Sequence, residues 1–296
     1  MHKNRYYIFL TLFIVFLTFN FFTLNTSANS KKNIKIVSSL NFYGEVAQKI
    51  VGKYGSTENI INSPSIDAED YTPTIKDAKK ISDAQIIIEN GLKYDPWLNN
   101  LIEANDKQDL VINVGKIMNK KMSDNPHIWY DPQALSKLVN KILLSCDELE
   151  PQHKKYFQHN AQTYLQEVNK WHNQINRLRI QHGNKRIAVS EPVMNYLLEA
   201  ADFKIENKKF ALSVEEGVDP SPKQMSETIA LFKKHKVIAF VVNSQNSDQS
   251  VDYLANIAKH NHIPIVYTTE TLPNHMTYLE WMISQTNKLQ KLYNAN

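Results

Sequence analysis

The chain has 296 residues, a formal charge of +4 from 34 Lys and Arg against 30 Asp and Glu, and one cysteine. That length accommodates two domains of ordinary size, each with a substantial core. A single cysteine excludes an internal disulfide and a thiolate zinc cluster, and lysines dispersed among acids, not massed in one block, argue against a nucleic-acid partner.

Lys3 and Arg5 precede an almost wholly apolar run from Tyr6 to Leu24, which is followed by the small residues Thr26-Ser27-Ala28 and then by the polar stretch Asn29 to Lys32. This is the pattern of a signal peptide, residues 1–28, with cleavage after Ala28. An uncleaved anchor is the alternative, because the run approaches the roughly 20 residues that span a bilayer. No second apolar run of that length follows, so the remainder is expected to work outside the cytoplasm as a soluble protein and not as a permease or membrane enzyme.

From there on, short β-branched runs alternate with helical patterns. In the first half the predicted strands are Ile34 to Val37, Asn59 to Ile61, Gln85 to Ile88 and Leu110 to Val114. In the second they are Arg186 to Val189, Phe210 to Leu212 (the weakest), Val237 to Val242 and Pro264 to Tyr267. Helices are predicted over about 41–53, 74–82, 94–104, 132–148, 192–200, 222–235, 249–260 and 275–294. Strands that alternate with helices form parallel sheets, since parallel neighbours need crossovers. The expected fold is α/β: an N-terminal lobe over 29–150 and a C-terminal lobe over 183–296, each a parallel sheet flanked by helices.

One long helix over 151–182 joins them. Pro151 stands at a first-turn position and Gly183 at a C-cap position. Phe157, Ala161, Tyr164, Val168, Trp171, Ile175 and Leu178 are spaced 4-3-4-3-4-3, a continuous seam. At 1.5 Å per residue the rod would be roughly 45 Å long. The seam fits packing down the back of both lobes; a coiled-coil dimer would use the same pattern. Cys146 falls on one stripe with Leu135, Leu138, Val139, Ile142 and Leu143, and is expected to be a buried thiol with no chemical role.

Several chemistries find no support. The 7 glycines form no phosphate-cradling or dinucleotide loop, and neither a Gly-x-Ser-x-Gly elbow nor a His-Glu-x-x-His pair occurs. No catalytic residue or cofactor is expected. In open parallel sheets, ligands bind beyond the carboxyl ends of the strands. Four loops there carry metal-capable side chains: Ser65 to Thr74, Asp124 to Pro132, Ser190-Glu191-Pro192, and Tyr267 to Thr271.

With these segments in order, the sequence from about Ile34 onward resembles the cluster A-I solute-binding proteins of manganese and zinc ABC transporters. The most specific match is Asn125-Pro126-His127-Ile128-Trp129-Tyr130-Asp131-Pro132, which looks like the family's Asp/Asn-Pro-His-x-Trp-x-Asp-Pro block. The resemblance implies His127, Glu191 and Glu270 as metal ligands. It puts Glu69 of Asp67-Ala68-Glu69-Asp70-Tyr71-Thr72-Pro73 where the family usually has histidine, so a carboxylate replaces an imidazole. Where many members have glutamate this chain has Asn243, which implies hydrogen bonding to the site and not coordination.

One imidazole and three carboxylates make a hard, oxygen-rich set that leans weakly toward manganese over zinc. The stretch from Gly115 to Asn125 also lacks the histidines that zinc-specific relatives carry in a long loop. His127 must be neutral to bind, so affinity is expected to fall below about pH 6.5. Pro126 and Pro132 would set the backbone around His127, and Trp129 would wall it from water. Asp219-Pro220-Ser221-Pro222 resembles a helix start of the family and is expected to be structural.

The resemblance implies a monomer that captures a divalent metal ion and hands it to a membrane ABC permease. Because Cys146 is the only cysteine, the lipid anchor of many relatives is not expected; the protein would be released, periplasmic, or held by its apolar segment. The alternative is a surface adhesin or scaffold that kept the fold and lost tight metal binding.

Overall fold

The computed structural model describes residues Asn33–Tyr293. The segment 1–28, expected to be a signal peptide, lies outside the described residues. Among those residues no helix is long and apolar enough to cross a membrane.

Eight strands form two parallel four-stranded sheets. The first contains β1 (Ile34–Leu40), β2 (Gly55–Ile61), β3 (Ile86–Glu89) and β4 (Val111–Asn113), in the order β2-β1-β3-β4. The second contains β5 (Arg186–Val189), β6 (Lys204–Ile205), β7 (Phe240–Asn243) and β8 (Ile265–Thr268), in the order β6-β5-β7-β8. Ile36 pairs with Ile86, and Val241 with Val266. In each sheet the strand order reverses beside the first strand, leaving a crevice at the carboxyl ends. The Ile-Ile-Ile-Glu of β3 is buried throughout, as expected for a strand with helices on both faces.

The crossovers of the first lobe are α1 (Asn41–Val51), α2 (Ile75–Asp83), α3 (Pro96–Ala104) and the single turn α4 (Val114–Ile117), with α5 (Pro132–Leu149) closing it. Their starts follow local chemistry. Thr74 and Asp77 form a reciprocal capping box on α2, and Asp131 caps α5 ahead of Pro132. Cys146 is fully buried on α5, and burial pushes its thiol up to about 12.

The connecting element opens with a 3-10 turn at Pro151–His153 and continues as α6 (Lys154–His182). Its seam is buried within the chain: Phe157, Ala161, Val168, Trp171, Ile175 and Leu178 are all 0–4% exposed. α6 packs on α1, on α5 and on the last helix, α11 (Tyr278–Gln290), where the Trp171 indole donates to Thr286 Oγ1 at 2.9 Å. The apolar residues that would serve a coiled-coil partner are thus already covered.

The second lobe adds α7 (Asn195–Ala200), α8 (Lys208–Glu215), α9 (Pro222–Lys233) and α10 (Gln249–His260). Ser221 and Gln224 form a capping box on α9, so Asp219 to Pro222 is the structural feature expected of it. The expected strand at Phe210 to Leu212 is wrong: those residues lie in α8, and the fourth strand is the two-residue β6. Phe210, Ala211 and Val214 are buried while Leu212 is 51% exposed, a helical and not an alternating pattern. A three-residue apolar run does not distinguish the two.

Candidate functional site

The two crevices face one another, and each expected site residue reaches the gap from a different loop. Glu191 follows β5 directly, Glu270 follows β8, and Glu69 lies in the loop between β2 and α2. His127 follows α4 and opens a 3-10 turn at Ile128–Tyr130.

His127 is the most firmly held. The carbonyl of Pro126 accepts the Ile128 N–H at 2.7 Å and the Asn90 side-chain amide at 2.9 Å. Asn90 is itself buried and accepts the Tyr43 hydroxyl at 2.7 Å. Asn125 orients the ring. Its Nδ2 donates to the Pro192 carbonyl at 2.8 Å, which turns its Oδ1 toward the His127 backbone N–H at 3.0 Å and the ring Nδ1 at 2.7 Å. With the Nδ1 proton held this way, Nε2 is the nitrogen left to face the gap. Trp129, fully buried, packs its ring 5.1 Å from the imidazole and shields it from solvent.

Glu270 is held from both lobes. Its Oε1 accepts the Tyr94 hydroxyl at 2.9 Å, its Oε2 accepts the Asn243 amide at 3.3 Å, and its backbone N–H donates to Gln245 Oε1 at 2.6 Å. Asn243 therefore has the hydrogen-bonding part expected of it. Glu191 is only 7% exposed; Oε1 accepts the Asn246 amide, whereas Oε2 is buried with no partner. Although Glu191 precedes the 3-10 turn Pro192–Met194, its side chain caps nothing. An ordinary helix-capping role is thereby removed.

Glu69, Glu191 and Glu270 share the wall of a cavity of about 200 Å³ with Asp67, Glu215, Asn243, Gln245 and Asn246. No Lys or Arg lines it. Organic ligands usually occupy about 300–1,000 Å³ of largely apolar space, so this smaller acidic cavity suits a hydrated cation. His127 stands behind the wall, with Nε2 3.7 Å from Glu270 and Nδ1 3.6 Å from Glu215. Both are ion-pair separations, not hydrogen bonds. Among the described residues no three His, Cys, Asp or Glu side chains are drawn into a closed coordination sphere.

The electrostatics follow from burial and from the charges that face one another. Burial pushes Glu69, Glu191 and Glu215 each up to about 7. For His127 burial works against the charge, but Glu215, Glu270 and Glu69 outweigh it and raise the imidazole to about 9. Glu270 is buried too, yet His127, Tyr94 and Asn243 hold it below its ordinary range. The surrounding carboxylates thus favour the imidazolium, so protons compete with a metal for Nε2 at higher pH than they would at an unperturbed imidazole.

Glu215, Gln245 and Asn246 had no place in the expected site. Glu215 was hidden by the strand expected at Phe210 to Leu212. As the last residue of a helix it sits four positions after buried Ala211 and one after buried Val214, so the helical period would have placed it on the inner face. Elsewhere, His153 stacks on Tyr54 at 3.6 Å and His172 meets the Pro132 carbonyl at 2.7 Å, so both imidazoles have structural partners away from the cavity.

Two parallel-sheet lobes, a long back helix and an acid-lined gap with one oriented imidazole are the architecture of a solute-binding protein. The model of the family described as zinc-uptake complex component A, periplasmic (ZnuA), matches residues 36–292, and the chain belongs to that family. It is 29% identical over 222 residues to the manganese-binding lipoprotein MntA of Halalkalibacterium halodurans, covering 72% of each chain. It is 26% identical over 235 residues to the iron-binding protein YfeA of Yersinia pestis, covering 76% of this chain and 74% of that one. The fold matches the manganese complex of FpvC from Pseudomonas aeruginosa with a TM-score of 0.73 at 19% identity, covering 89% and 99% of the two chains. The zinc-binding protein TroA of Treponema pallidum gives 0.72 at 16% identity, covering 88% and 99%.

Proposed function

We propose that this extracytoplasmic protein captures one divalent transition-metal ion between its lobes, through Glu69, His127, Glu191 and Glu270, and delivers it to a membrane ABC permease. The observation that carries this reading is the buried, unpartnered Oε2 of Glu191 in a cavity that has carboxylates but no Lys or Arg. A buried carboxylate oxygen without a donor is costly, and a cation is what would relieve it.

Manganese is favoured over zinc because three carboxylates and one imidazole are a hard donor set. Residues 29–150 and 183–296 act as the lobes and 151–182 as their connection, a division supported by the two separate sheets. A monomer is the working form, since the seam of α6 is used inside the chain. The adhesin alternative has no observation in its favour.

Native purification followed by elemental analysis tests the proposal, with Glu191→Ala alongside. One equivalent of manganese or zinc is expected in the wild type and loss of metal in the variant. Metal at a hundred times its Kd should stabilise the wild type by about 2.7 kcal/mol. Metal-free protein whose melting temperature neither ion moves would overturn it.

A further inference from the structure

Asp67 accepts the Glu69 backbone N–H at 2.8 Å; that leaves Glu215 as the cavity carboxylate that neither the expected ligand set, a helix cap nor a loop hydrogen bond accounts for. It ends α8, on the C-terminal lobe, and shares the cavity wall with Glu69, Glu191 and Glu270. Its carboxylate accepts no hydrogen bond from the described residues, and its one charged partner is the His127 ring at 3.6 Å. A partly buried carboxylate with no hydrogen-bond donor is unfavourable, and a cation in the cavity that Glu215 shares with Glu69, Glu191 and Glu270 would relieve it. Independently, the unpartnered Oε2 of Glu191, in a residue 7% exposed, points to a cation at this same wall.

We propose that Glu215 is a fifth coordinating side chain of the interlobe site, which then offers four carboxylates and one imidazole to manganese(II) and discriminates against zinc. This rests on the metal-binding reading above. A fifth donor strengthens binding of an ion that takes six or more oxygen-rich ligands, while zinc is satisfied by four and gains little from it. The amides of Asn243 and Asn246, which donate to Glu270 and Glu191, disperse part of the excess negative charge.

The test is competitive titration of the full, metal-stripped chain with manganese(II) and with zinc(II), comparing wild type, Glu215→Gln and the exposed neighbour control Glu216→Gln. Glu215→Gln should weaken manganese by about tenfold or more while zinc changes by less than about threefold, so that the preference falls. Glu216→Gln should match wild type. Glu215→Asp, which keeps the charge on a shorter arm, should fall between wild type and Glu215→Gln for manganese and serves if Glu215→Gln does not fold. Unchanged manganese affinity in Glu215→Gln, or equal loss of both metals, would overturn the assignment while leaving the metal-binding reading intact. A wild type that binds neither ion would instead overturn that reading.

Discussion

The two faces along which the lobes meet are built on opposite principles. At the back, aromatic rings close the joint. Phe42 of α1 packs 5.4 Å from Trp129, 5.4 Å from Tyr278 and 5.7 Å from Trp281. Three polar tips there have partners across the joint or beside it: Tyr278 donates to the Trp129 carbonyl at 2.6 Å, Tyr130 to the Thr269 carbonyl at 2.6 Å, and the Trp281 indole to Thr269 Oγ1 at 2.8 Å, while the Trp129 indole N–H is buried without one. At the front, carboxylates crowd a small cavity and one oxygen is left without a donor. Burial of apolar area holds the lobes together without directional demands, whereas the front is left electrostatically incomplete. The back therefore sustains the fold and the front stores a deficit that a cation would relieve.

The contrast can be broken most severely from behind. Trp281→Ala removes a fully buried ring and its hydrogen bond, and should cost about 3–5 kcal/mol of stability in chemical denaturation. Metal affinity measured on whatever fraction remains folded should change little. If that fraction loses metal outright, the back and front are not separable.

A smaller effect, confined to the front, is expected from Asn125→Ala. It deletes the acceptor that holds His127 Nδ1 and frees the ring to turn. Metal affinity should drop about 10–100-fold, or roughly 1.4–2.7 kcal/mol, while the lost hydrogen bonds to Pro192 and His127 should cost about 1–3 kcal/mol of metal-free stability. A stability loss with no change in affinity would reverse the roles assigned to the two faces.

The mildest perturbation is pH. Glu69, Glu191 and Glu215 keep their protons up to about 7 in the fold against an ordinary 4.5, and His127 keeps its proton to about 9 against 6.5. In all four cases the folded state binds more protons than the unfolded one. Their contribution is thus fully present below the unfolded values and is lost as pH rises from about 4.5 through 9. Glu270, shifted down, acts oppositely, and its contribution is lost only at acid pH. The metal-free melting temperature should therefore be higher near pH 5.5 than near pH 8, by roughly a few degrees. The shift produced by manganese should be larger at pH 8, where fewer protons must be displaced. Thermal scans at both pH values, with and without metal, check both signs.

Most of the fold was legible because it rests on local patterns. The 4-3 seam of the long helix, the β-branched runs and Thr, Asp or Ser caps ahead of helices act over a few residues. Where the local signal was too short, as at Phe210 to Leu212, the reading failed, and Glu215 was missed with it. Position after strands marked only the loops; the resemblance singled out His127, through a contiguous block of neighbours, and Glu191 and Glu270 within those loops.

By itself, then, the sequence determined the two-lobed α/β order, the connecting helix and the loops that carry metal-capable side chains, because periodicity and capping are written residue by residue. Only the tertiary structure decided which carboxylates share one wall, which oxygen is left unpartnered, and how far the carboxylates shift His127. These depend on Asn125, Tyr94, Asn243, Asn246 and Glu215 meeting across strand ends far apart in the chain, and charge and desolvation act through that space rather than along the backbone.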